Sequence, residues 1–178
     1  MTDNALPEPH PAIEPLSFLL GKWEGYGKGD YPTIESFDFI QEVTFTHNGK
    51  PFLIYNSRSW LRETGENGEV AKGRPLGMET GFWRPQPDNN VEVVLAYPTG
   101  ITEIYLGEVD GTKIDIKTHS VILTPSAKEV KFGHRLYGLV NSTNRPGEKD
   151  LAYAYDMEAM GQPLQPHLWA QLEWAWTD

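Results

Sequence analysis

From Gly21 onward the chain is a close succession of short apolar and aromatic runs, each ended within a few residues by Gly, Pro, Asn or Asp. Runs of this kind read as β-strands joined by tight turns. They fall at 22–28, 37–47, 52–60, 78–84, 91–97, 101–109, 112–120, 129–140, 151–160 and 167–176, about ten strands in chain order. Asn48-Gly49, Pro87-Asp88-Asn89-Asn90, Pro98-Thr99-Gly100 and Asp110-Gly111 supply the turns, since Asn, Asp and Gly tolerate positive φ. A charged loop is expected over 62–75 and a polar one over 141–150, with Gly133 marking a bulge or sharp bend. Only 13–20 suggests helix, one or two turns that place Leu16, Leu19 and Leu20 on one side. Residues 1–12, with Pro7, Pro9 and Pro11, read as a mobile tail ahead of a single domain over 13–178.

Ten sequential antiparallel strands must dispose of their edges, and closing the sheet into an up-and-down barrel does so completely. Eight strands leave room for side chains or one small ligand, so ten should leave a larger lumen. Val91, Val93, Leu95 and Tyr97 share one parity and Ile114 and Ile116 another, the alternation a barrel wall requires. A β-sandwich satisfies the same pattern; the barrel is preferred because nearly every connection is a short hairpin.

The 178 residues suit one domain and can bury roughly 70% of the surface of the unfolded chain, so no covalent staple is needed. With no cysteine, disulfides, thiolate catalysis, iron–sulfur clusters and cysteine-ligated haem are excluded. A net charge of -10 disfavours nucleic acid and anionic membranes as partners. The longest apolar stretch, Leu16 to Leu20, is broken by Ser17, far short of the ~20 residues that span a bilayer. The N-terminus lacks the basic and apolar regions of a secretory signal, so a cytoplasmic location is expected.

The informative stretch is Gly21-Lys22-Trp23-Glu24-Gly25-Tyr26-Gly27, continued by Gly29. Gly25, Gly27 and Gly29 recur every second residue and therefore strip one strand face of side chains, letting a crossing strand, a plugging helix or a planar ligand approach. Close packing of neighbouring strands at a barrel corner explains the spacing without any ligand. It is no dinucleotide fingerprint, because those glycines open a helix and these lie within a strand before Pro32. Trp23 is expected to close the barrel bottom.

The G-x-W-x-G-x-G pattern of Gly21, Trp23, Gly25 and Gly27 resembles the signature of the nitrobindins, haem-binding β-barrels shaped like fatty-acid-binding proteins. Tyr31-Pro32-Thr33-Ile34, Gly49-Lys50-Pro51-Phe52-Leu53, Glu79-Thr80-Gly81 and Pro98-Thr99-Gly100-Ile101-Thr102-Glu103 are similar to family segments. So are Ala127-Lys128-Glu129-Val130 and Gly161-Gln162-Pro163-Leu164-Gln165 with His167, in the family's order and spanning nearly the whole chain from Leu16. The resemblance implies a ten-stranded barrel holding one b-type haem, the iron bound on one side by His167, which follows the G-Q-P-L-Q segment. It also implies haem contacts from Thr33 and Lys128, isomerisation of peroxynitrite to nitrate at ferric haem, and binding of nitric oxide. It leaves the oligomeric state open, a homodimer included.

Judged without the family, the five histidines are unequal. His10 lies in the tail and His47 beside a turn; His119 and His134 lie in strands and pattern alone does not set them aside. His167 follows Pro163 and Pro166, which stiffen its approach, and opens a strand containing Trp169, Trp174 and Trp176. A ligand on a rigid strand end holds its ring more firmly than one in a loop. Thr33 could equally be a turn hydroxyl and Lys128 a solvated strand lysine. Met78, Met157 and Met160 are candidates for cavity lining or plain core. No G-x-S-x-G elbow, H-E-x-x-H or Walker loop is present. Two other functions fit the same barrel: a carrier of a fatty acid or other apolar ligand, and a nitric-oxide or haem sensor.

Overall fold

The computed structural model describes residues 7–175; residues 1–6 of the expected tail, and Trp176 of the expected last strand, lie outside them. A 3-10 helix, Pro11–Leu19, precedes β1 Gly21–Tyr31, β2 Ile34–Thr46, β3 Leu53–Thr64, β4 Val70–Pro85, β5 Asn90–Tyr97, β6 Ile101–Asp110, β7 Lys113–Leu123, β8 Val130–Asn141, β9 Lys149–Ala159 and β10 Gln165–Ala175. Each strand pairs with its sequence neighbours, and β10 pairs with β1 to close the barrel. The expected barrel is the fold.

Two local expectations are corrected. Residues 62–75 are not simply a loop: β3 and β4 continue as a long hairpin in which Arg62 faces Lys72 and Thr64 faces Val70. Its two strands project beyond the closed wall and therefore carry charge instead of apolar alternation. Asn48-Gly49 does not form a two-residue hairpin, because the connection runs over 47–52 and only Gly49, at φ 79°, is left-handed. Asp88 and Asn89, at φ 60° and 58°, do make the tight turn their sequence suggests.

The short helix opens with Pro11, is capped by the His10 ring accepting from the Ala12 N–H, and contains Pro15, which removes an internal donor and suits a short 3-10 segment. It buries Ile13, Leu16 and Leu19 beneath the barrel, and Trp23 Nε1 donates to the Leu19 carbonyl at 2.8 Å, locking plug to wall. Above the plug the lower half is solid: Phe45, Trp83, Val93, Leu95, Ile116 and Leu172 are fully buried. The ring of Trp83 meets Phe45 and Tyr137 edge-on, with centroids 5.4 and 5.1 Å apart. The upper half is hollow.

The bare face of β1 explains how the hollow stays open. Inward-facing residues of β1 are Trp23, Gly25, Gly27, Gly29 and Tyr31. A Cβ on Gly25 would press on the β10 backbone, 2.9 Å from the Leu172 Cα; Cβ atoms on Gly27 and Gly29 would meet the rings of Phe39 and Phe37, both at 2.6 Å among other contacts. The glycine strip therefore serves close strand packing, and it also lets two β2 phenyl rings lie back against bare backbone.

Candidate functional site

The cavity in the upper barrel has a volume of about 470 Å³ and is bordered by Phe37, Phe39, Leu76, Met157, Leu168 and His167 toward its mouth. His167, Phe37 and Leu168 also border an outer recess of about 610 Å³ with Lys28, Ser36 and Asp156, so the imidazole stands at the threshold between the two.

A β-bulge places it there. Pro166 faces Asp156 and Leu168 faces Tyr155, which leaves His167 as an extra residue in β10 without a partner on β9. The inward side chains of β10 are the even-numbered Leu168, Ala170 and Leu172, so strict alternation would have sent His167 outward with Trp169. The bulge instead lets His167 and Leu168 border the cavity together.

The ring is held on three sides. Its Nδ1 lies 3.1 Å from the Asp30 carbonyl oxygen. A carbonyl only accepts, so Nδ1 carries the proton and Nε2 the lone pair. Tyr31 and Tyr155 meet the imidazole edge-on, with centroids 5.3 and 5.7 Å away. Tyr31 is itself fixed, its hydroxyl accepting from the Ala159 N–H at 2.9 Å and reaching the Ala159 carbonyl at 3.1 Å. Burial holds the His167 pKa below the usual histidine value against the opposing pull of the Asp30 carbonyl, and Arg135 adds to the lowering. The result is a neutral imidazole whose Nε2 has no hydrogen bond among the described residues.

At mid-height the cavity ends on a buried polar layer. Arg135, 2% exposed, binds Glu79 with both terminal nitrogens, at 2.9 and 3.1 Å. It also donates to the hydroxyls of Tyr97, Tyr105 and Tyr137 at 2.8, 3.2 and 3.2 Å, and its guanidinium lies 4.3 Å from the centre of the Tyr155 ring. Tyr97 and Tyr105 both donate to Glu103 Oε2, and Tyr55 donates to Glu79. Burial opposes the charge of Arg135, but Glu79 together with Tyr105, Tyr97 and Tyr137 outweighs it and keeps the guanidinium charged; burial likewise pushes Tyr97 well up, so its phenol stays protonated.

The other histidines are placed elsewhere. His10 caps the helix, His47 accepts from the Gly49 N–H, His134 pairs with Asp115 at 2.8 Å, and His119 is exposed on β7. Thr33 sits exposed in the β1–β2 turn and Lys128 exposed in the loop before β8; both belong to the His167 end of the barrel, and neither borders the cavity. Met78 and Met157 border it; Met160 lies in the turn after β9. The polar layer was missed in the sequence, although a signal existed: Glu103 shares parity with Ile101 and Tyr105, and Arg135 with Tyr137, so each is a charge on an inward face.

These residues fit a haem. Among the described residues no three His, Asp or Glu side chains converge on a point that could hold a bare metal ion. A lone neutral imidazole suits a metal that arrives with its other ligands already in place, and the aromatic and aliphatic lining suits a flat apolar macrocycle.

Comparisons with known proteins agree with that chemistry. The profile of a THAP4-like, heme-binding beta-barrel domain matches residues 12–173. A protein of Nocardioides sp. (strain ATCC BAA-499 / JS614) named peroxynitrite isomerase is 49% identical over 163 residues, covering 92% of this chain and 93% of its own. A protein of Thermobifida fusca (strain YX) named ferric nitrobindin-like protein is 40% identical over 179 residues, covering 93% of this chain and 95% of its own. The crystal structure of Rv2717c from M. tuberculosis superimposes with a TM-score of 0.78 at 42% identity, covering 94% of this chain and 99% of that one.

Proposed function

The chain belongs to the family of the THAP4-like, heme-binding β-barrel domain, and from that premise we propose that it binds haem b and isomerises peroxynitrite to nitrate, with His167 as the one protein ligand to the iron. The observation that carries the reading is the state of His167: a neutral imidazole on a bulge, its Nδ1–H fixed by the Asp30 carbonyl and its Nε2 lone pair free. Haem held by His167 would supply a ferric iron that acts as a Lewis acid toward an anionic oxygen.

The chain's own residues do the rest. The Asp30 carbonyl fixes the tautomer and orientation of the ring and makes Nε2 a better donor, as partners of metal-bound histidines generally do. The edges of Tyr31 and Tyr155 keep the ring from turning. Phe37, Phe39, Leu76, Met157 and Leu168 keep water from the space in front of it. Peroxynitrite and nitrate contain the same atoms and carry the same charge, so the conversion consumes neither proton nor external electron. An acid–base pair is therefore not required. Thr33 and Lys128, on the rim at the same end, supply a hydroxyl and a cation for the haem propionates. We propose further that the protein binds nitric oxide at the same site and works in the cytoplasm.

Hemin titration tests the assignment. The wild-type chain should give a histidine-type Soret band, accelerate peroxynitrite decay and raise the nitrate yield. His167→Ala should lose the band and most of the acceleration. A variant that keeps both the spectrum and the rate would remove His167 from the reading.

A further inference from the structure

The polar layer beneath the cavity reaches the proposed isomerisation only through the pull of Arg135 on His167, and its own charges do not balance. Two carboxyl groups, Glu79 and Glu103, face one guanidinium. Arg135 has no capacity to spare, since Glu79 takes both terminal nitrogens and three tyrosine hydroxyls take further N–H bonds. Glu103 is 1% exposed, accepts from Tyr97 and Tyr105 through Oε2 alone, and leaves Oε1 without any partner. Among the residues bordering the cavity, Arg135 is the one fixed cation.

We propose that Glu79 and Glu103 make the barrel interior anion-rejecting, so that it accepts a neutral apolar chain, with or without a hydrogen-bond-donor end, and turns a carboxylate-ended one away. Glu103 is the specificity-determining residue. An entering carboxylate would meet an uncompensated acceptor and a cation already spent, in surroundings where unpaired charge is costly. A hydroxyl end meets no such penalty. The proposal concerns the haem-free interior and does not depend on the haem assignment.

Displacement of N-phenyl-1-naphthylamine from the haem-free full-length chain provides the test, with dodecane-1,12-diol and dodecanedioate at pH 8 as the competing probes. Both ends of each probe are alike, so a bound molecule must commit one end inward. The diol should displace the dye at least about tenfold more effectively than the dioate, and Glu103→Gln should narrow that gap at least about threefold. The wild-type gap should also survive an increase in NaCl from about 20 to about 500 mM, because buried charges are screened far less than the net-negative surface. A dioate that binds as well as the diol, a diol that fails to displace the dye, a gap that collapses in salt, or an unchanged gap in a folded Glu103→Gln chain would each overturn the proposal. If that variant does not fold, Glu79→Gln, which removes the other carboxylate, should narrow the gap in its place, and an unchanged gap in that folded chain would overturn the proposal. Hemin titration of the same preparation reads the haem assignment separately.

Discussion

Replacing Gly27 by Ala tests whether the bare strip on β1 keeps the barrel hollow. A Cβ there would sit 2.5 Å from the Trp169 carbonyl oxygen and 2.6 Å from Phe39 Cε2. Neither neighbour can retreat cheaply: the first is β10 backbone, paired to β1 at Gly27–Ala170 and Lys28–Trp169, and the second is a ring that is 2% exposed. Overpacking of this kind costs about 1–3 kcal/mol, and the backbone contact puts Gly27 at the upper end, about 3 kcal/mol. For a chain of this length each kcal/mol moves Tm by roughly 2–4 °C, so the haem-free variant should melt about 6–12 °C below wild type. Gly29→Ala is the internal control, because all three of its nearest contacts are atoms of the Phe37 ring, which is only half-buried and free to swing at the mouth. Its cost should be about 1 kcal/mol, falling to roughly half or less in a Phe37→Ala background, where the obstructing ring is gone. Thermal unfolding followed by circular dichroism reads both. A Gly27→Ala chain melting within about 2 °C of wild type, or a Gly29→Ala cost indifferent to Phe37, would refute the reasoning.

Arg135→Leu leaves Glu79 and three tyrosine hydroxyls without their partner and should cost about 3–5 kcal/mol in urea unfolding, while Arg135→Leu with Glu79→Leu should recover much of that loss. Tyr31→Phe strands the buried Ala159 N–H and should cost about 1–3 kcal/mol by the same measurement. Acid should destabilise the haem-free chain through His167: its folded pKa lies below the unfolded value because of burial, so its contribution is fully present above about pH 6.5 and is lost as pH falls through the folded value. His167→Phe should therefore flatten the decline in stability between about pH 7 and pH 5; an equally steep decline would contradict the burial argument.

The barrel was legible because strand and hairpin are local properties. Alternation in 91–97 and turn residues such as Asp88-Asn89 act over two to four positions, and closure follows from counting strands that need their edges covered. The β3–β4 arm was not legible for the complementary reason. Beyond the closed wall its residues are exposed, so Arg62, Glu63 and Lys72 carry no alternation to read; cross-strand pairing makes them strand, and Arg62 over Tyr26 and Lys72 against Glu42 and Trp60 tie the arm to the wall.

The site divides along the same line. Which histidine matters could be favoured from its setting, but where its ring points depends on register. Parity along β10 sends residue 167 outward, and only the pairing offset against β9 turns it inward. The orienting partner is a backbone carbonyl, that of Asp30, so no side-chain type could have announced it. The strain of an extra residue is tolerated here because β10 is anchored on both flanks, Leu168 and Trp169 pairing with Gly29 and Lys28 of β1 and with Tyr155 and Ala154 of β9. A bulge held in this way converts a strand, whose side chains otherwise alternate, into an element that puts two consecutive side chains, His167 and Leu168, at one cavity. The polar layer below follows the opposite logic. Glu103 and Arg135 sit where ordinary parity says they should, so their burial could have been read from the sequence, whereas their mutual satisfaction, and the one oxygen left over, depends on strands β4, β6 and β8 meeting across the lumen.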